Sequence, residues 1–158
     1  MRYTRSVLAL LVIVGVPSGA QTFIAPSADR CLAADSTIYR LASASDHAGI
    51  TVRVGENAVD PDITMQLTDG PATADFVLVD DQEIAATDGC RGRSPDPGRT
   101  INVNAETPRP HLIVGLAAPS AKADYKIYVR SAAFSVEEAA ALFAVMVRSR
   151  SSRNVAGR

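Results

Sequence analysis

His47 and His111 are the two imidazoles of this chain, and an imidazole is the side chain whose charge changes nearest neutral pH. Ser43, Ser45, Asp46 and His47 put hydroxyl, carboxylate and imidazole within five residues. A nucleophilic triad is defined by spatial roles, not by sequence neighbours. No Gly-x-Ser-x-Gly elbow is present to lift a serine out of a strand–helix turn. His47 therefore reads as a turn histidine. His111 opens an apolar run, and Asp62 occupies the matching place in a duplicated segment. If the two copies met about a pseudo-two-fold axis, Asp62 and His111 would lie close together. That pair, with nearby loop acids, is the site a small exported hydrolase or ligand-binding enzyme would use.

The acids and cysteines have plainer readings. Asp60-Pro61-Asp62, Asp80-Asp81 and Asp88 offer oxygen ligands, but no stretch has the alternating acidic loop with a closing Glu that calcium takes. Asp75 and Asp124 each follow a small-residue turn and precede a strand-like run, where a short carboxylate can accept turn amides. Gly89-Cys90-Arg91-Gly92-Arg93 is not a glycine-rich phosphate loop, and its arginines are expected to be solvated. No metal and no cofactor are expected. Cys31 and Cys90 lack a CxxC pattern and a histidine at metal-ligand spacing. An even cysteine count in an exported chain implies one Cys31–Cys90 disulfide. Closing a loop of that size stabilises a fold by about 4 kcal/mol in the chain-entropy account.

Export is read from the first 20 residues. Arg2 and Arg5 form a charged region, Ser6 to Val16 an apolar one, and Ser18-Gly19-Ala20 a small-residue cleavage site. The apolar run is well short of the roughly 20 residues that span a bilayer, so no stable membrane insertion is expected after cleavage. The expected location is the periplasm or outside the cell. Cleavage removes two of the 16 Lys and Arg residues, leaving 14 against 17 Asp and Glu. A chain so balanced has no broad basic face for nucleic acid. The exception is the end of the chain, where Arg148, Arg150, Arg153 and Arg158 stand among Ser, Asn and Gly with no acid. Residues 148–158 are expected to form a basic disordered tail.

What must position any site is a duplication. Residues 50–79 and 99–128 align without a gap at an offset of 49. Thr51, Val54, Pro61, Leu67, Ala74 and Asp75 recur as Thr100, Val103, Pro110, Leu116, Ala123 and Asp124. Each copy carries three strand-like runs, around 50–54, 63–67 and 75–79, then 100–103, 111–116 and 124–130. Most alternate apolar and polar residues, as a strand with one buried face does. The run Asp75 to Val79 is nearly continuous in its apolar residues and so expected centrally, covered on both faces. Asp124 to Arg130 alternates cleanly and is expected to keep a wet face. A further short strand is expected within Ser36 to Ala42. Ser135 and Glu138 form a capping box ahead of Val136, Ala139, Ala140, Phe143, Met146 and Val147, whose spacing places them on one helix face.

The expected fold class is therefore α+β: one small domain over residues 21–147. Its sheet would be mainly antiparallel, built from two copies of a three-stranded unit, with the C-terminal helix laid on it. A hairpin within each copy is favoured, because parallel neighbours ordinarily need a dozen or more linking residues. The expected function is an exported, non-enzymatic module binding a partner protein or envelope component. Lys126, Tyr128 and Arg130, cations around an aromatic on one face of the last strand, are its candidate contact residues.

Overall fold

The computed structural model describes residues 21–24, 30–34, 37–42, 49–79 and 99–156. Its elements in chain order are β1 (Gln21–Ile24), β2 (Cys31–Ala34), β3 (Thr37–Leu41), β4 (Ile50–Gly55), β5 (Ile63–Leu67) and β6 (Phe76–Val79). They are followed by β7 (Thr100–Val103), β8 (Leu112–Ala117), β9 (Tyr125–Arg130) and α1 (Val136–Ala156). Among the described residues the strands form one sheet in the order β1-β6-β9-β5-β8-β4-β7-β3-β2. Every neighbouring pair is parallel except β2 with β3. The expectation of a mainly antiparallel sheet is wrong, and so is the hairpin within each copy.

The order explains why. From β6 to β7 the strands alternate between copies, so the duplicated units interdigitate. Within this run each strand of one copy neighbours only strands of the other, β6 and β7 being bordered on their far sides by β1 and β3. The operator relating the copies moves one place along the sheet instead of turning about a two-fold axis. Short connections suffice because the strands are staggered. Arg53 of β4 pairs with Ile113 of β8, and the residue before β5, Asp62, bonds the same Ile113. The next strand of a copy thus starts almost level with the end of the previous one. The link from Gly55 to Ile63 crosses two strand spacings, about 10 Å, and steps back only slightly. The rule that parallel neighbours need long crossovers assumes strands standing side by side at one height.

The helix is enclosed. Ala139, Ala140, Ala141, Leu142, Phe143, Ala144, Val145 and Met146 are all buried. Eight consecutive residues pass through more than two turns of an α-helix, so every side of α1 is covered. A one-sided helix on a flat sheet cannot do this. The sheet curls instead, so that α1 touches β3, β4, β7, β8 and β9, while the outermost strands β1 and β2 approach each other. Phe143 stacks on Phe76 of β6, with ring centroids 5.0 Å apart and an interplanar angle of 18°. Val52, Met65, Leu78, Ile101, Leu112, Val114 and Ile127 line the inside of the curl. The run of alanines permits the close approach that this enclosure demands.

The capping box is formed: the Ser135 N–H donates to Glu138 Oε2 at 2.9 Å, and the Glu138 N–H donates to Ser135 Oγ at 3.2 Å. Glu138 also meets Arg30 in an ion pair. α1 runs on to Ala156, so most of the stretch expected to be a disordered tail is helical. β6 is buried through Phe76, Val77 and Leu78 as its apolar run implied, but it stands one strand from the end of the sheet.

Candidate functional site

The residues just before β5, β6, β8 and β9 share one geometry. Asp62 donates its N–H to the Ile113 carbonyl at 2.9 Å, and its Oδ2 accepts the Ile113 N–H at 2.8 Å. Asp75 does the same to Lys126, at 2.8 Å and 2.7 Å. Asp124 does it to Thr64, at 3.0 Å and 2.8 Å. His111 does it to Thr51, with its N–H on the Thr51 carbonyl at 2.8 Å and its Nδ1 accepting the Thr51 N–H at 3.0 Å. Each entry residue thus clasps both backbone groups of the residue opposite it on the neighbouring strand. Copy one clasps copy two twice, and copy two clasps copy one twice.

These clasps account for the two residues that the sequence offers for proton chemistry. Asp62 and His111 occupy equivalent positions, but they are committed separately, Asp62 to β8 and His111 to β4. The clasps also account for the repeated Asp75 and Asp124, whose carboxylates accept from the neighbouring strand and not, as expected, from the amides of their own turns. Asp124 is the most heavily used of the four. The Thr64 hydroxyl donates to its Oδ2 at 2.7 Å, and this bond, then the Thr64 N–H and the nearby Lys122, hold its carboxyl below the ordinary value of 3.8. Sequence reading missed the clasps because their partners are long-range. Their one trace in sequence is the offset that aligns Asp62 with His111 and Asp75 with Asp124.

The strand ends clasped by Asp62, His111 and Asp124 lie beside the place where α1 leaves the curl. Arg148, expected in a tail, stands on α1 there and donates from Nη1 to the His111 carbonyl at 2.9 Å. Two hollows flank it. One, of about 260 Å³, is lined by Ile50, His111, Leu112, Val145, Arg148, Ser149 and Ser152. The other, of about 400 Å³, includes Asp62, Asp124, Tyr125, Arg148 and Ser151 in its lining. Ser149 and Ser152 turn their hydroxyls back onto the Val145 and Arg148 carbonyls, at 2.8 Å and 3.0 Å.

The other candidate residues lie elsewhere. Lys126, Tyr128 and Arg130 project from the outer side of β9, with Lys126 and Arg130 exposed and Tyr128 half-buried. Their neighbours in register are Gln66 for Lys126, Val77 for Tyr128 and Val79 for Arg130. β9 is hydrogen-bonded on both sides, to β5 and β6, so it has no edge to offer an added strand. Cys31 is fully buried at the start of β2. Cys90, His47, Asp80, Asp81, Asp88 and residues 89–93 lie outside the described residues. Among the described residues no three His, Cys, Asp or Glu side chains are grouped to hold a metal, and no helix is long and apolar enough to cross a membrane.

Comparison with known proteins supplies no relative: no family model, no curated protein and no solved structure matches this chain.

Proposed function

We propose that this chain is an exported, non-enzymatic binding module that engages a partner protein or an envelope component through the outer face of β9. One observation carries the reading. Lys126, Tyr128 and Arg130 stand in a row on the exterior of a strand fixed on both sides by its neighbours. A strand held this way fixes the spacing and direction of these side chains before a partner arrives, so no backbone ordering is left for binding to supply. Tyr and Arg are also among the residues that interfaces favour over general surface, and Lys126 extends the positive charge beside them. The engagement is through side chains, because β9 has no free edge. The use of Asp62, Asp75, His111 and Asp124 as backbone clasps favours a structural role for these groups over acid–base catalysis.

The test is differential capture. The protein is immobilised and challenged with a periplasmic and envelope extract. The double variant Lys126→Glu/Arg130→Glu loses partners that the wild type retains, while His111→Asp retains them. Equal capture by the charge-reversed and wild-type proteins, with folding unchanged, would overturn the reading.

A further inference from the structure

The clasp made by His111 does not need a histidine. At the equivalent position of the other copy Asp62 makes the same two bonds, and Asp75 and Asp124 repeat them. The imidazole must therefore be read for what it adds. Because Nδ1 accepts the Thr51 N–H, the proton of the neutral ring sits on Nε2. That leaves one directed donor that no aspartate could supply. His111 and Arg148 line the same hollow of about 260 Å³. The Arg148 guanidinium is steadied by its bond to the His111 carbonyl and keeps donors to spare, since it carries five N–H groups. The half-buried Ile50 supplies apolar wall, with the almost fully buried Leu112 and Val145 behind it. Ser149 and Ser152 spend their hydroxyl protons on helix carbonyls and so face a ligand as acceptors only.

We infer that this hollow is a binding site for a small amphiphilic carboxylate. The anionic head would be held by the His111 Nε2–H and the Arg148 guanidinium, and a short aliphatic body would rest on the half-buried Ile50. Two donors, one of them cationic, select an anionic head. The apolar wall selects against a bare inorganic ion. The volume is near the lower end for ligand sites, about 300 Å³, and so restricts the body to a short chain. The site is separate from the outer face of β9, and neither proposal depends on the other. Asp62 and Asp124 line the adjoining hollow together with Arg148 but form no ion pair with it; their Oδ2 atoms are turned to backbone N–H groups of the neighbouring strands.

The repeat supplies its own control. His111→Asp restores the residue type that clasps at the three equivalent positions, so it keeps the Thr51 bond while removing the Nε2 donor and adding a negative charge. The probe is hexanoate, titrated into the ¹⁵N-labelled protein and followed by amide shifts, with hexanol and inorganic phosphate as comparisons. Hexanoate is expected to shift the amides of Thr51, Leu112 and Ser149 saturably, and hexanol and phosphate to leave them in place. His111→Asp and Arg148→Gln are each expected to weaken hexanoate by about tenfold or more, the scale of a charge-assisted hydrogen bond. The spectrum of His111→Asp should otherwise overlay that of the wild type, which shows that the fold survives. No saturable shift at 50 mM hexanoate, equal shifts with hexanol, or unweakened binding by His111→Asp would each overturn the assignment.

Discussion

Val145 distinguishes an enclosed helix from a helix laid on a sheet by the sign of one stability change. On a one-sided reading, the face built from Val136, Ala139, Ala140, Phe143, Met146 and Val147 packs inward and Val145 points nearly the opposite way. There, Val145→Ala would stabilise the protein by about 0.5 kcal/mol, because alanine is the better helix former. In the structure Val145 is only 3% exposed. Removing two buried methyl carbons forfeits about 0.8 kcal/mol each. Incomplete collapse adds about 0.5–1 kcal/mol of cavity cost, and the propensity gain subtracts about 0.5 kcal/mol. The expected result is destabilisation by about 1.5–2 kcal/mol. Urea unfolding reads this as a lowered midpoint at unchanged slope, and a thermal melt as a fall of roughly 4 °C per kcal/mol. Ala141→Glu sharpens the test. Glutamate and alanine differ little in helix propensity, so a solvated position would tolerate it, whereas the fully buried Ala141 would force an unpaired carboxylate into apolar surroundings at a cost of several kcal/mol. A Val145→Ala protein as stable as wild type or more so, at the same slope, would refute the enclosure.

Three further outcomes follow from single contacts. A Cβ added at Gly115 would lie 3.2 Å from two atoms of Pro61, whereas one at Gly55 meets nothing within 4 Å; Gly115→Ala should destabilise by about 1–2 kcal/mol and Gly55→Ala should be neutral or slightly stabilising in the same urea assay. The Asp124 carboxyl is held below 3.8, so its contribution is present above the unfolded carboxylate value and is lost as pH falls through the lowered folded value. Stability curves of wild type and Asp124→Asn should therefore differ near neutral pH and converge in strong acid; a constant gap would count against the clasp. Thiol titration of the denatured, unreduced protein should find no free sulfhydryl if Cys31 and Cys90 are bonded, and two titratable thiols would refute that pairing.

The strands themselves were legible, and their arrangement was not. Thr37–Leu41 and Ile50–Gly55 fall where alternation puts them, because period-two burial is written into these segments. Alternation is the same for parallel and antiparallel partners, so Tyr125–Arg130 announces a wet face without naming β5 and β6 as its neighbours. β1 and β2 were not legible, since four-residue strands are too short to display a pattern. The helix start was readable from Ser135 and Glu138, whose bonds are local. Its enclosure was not, although Ala141, Leu142, Ala144 and Val145 complete an apolar circumference that an amphipathic reading passes over. Of the candidate site, Asp62 and His111 were picked out by residue type. Their separate commitments to Ile113 and Thr51 depend on interleaving that no local rule contains.

Interleaving is the claim on which the clasps, the rigid outer face and the mouth of the curl all depend, and interstrand NOEs test it directly. The register pairs Gln66 with Lys126 and Val77 with Tyr128, so β9 should show NOEs to β5 on one side and to β6 on the other, in the pattern of parallel strands. Antiparallel NOEs linking β5 directly to β6, such as Leu67 to Phe76, would contradict the account.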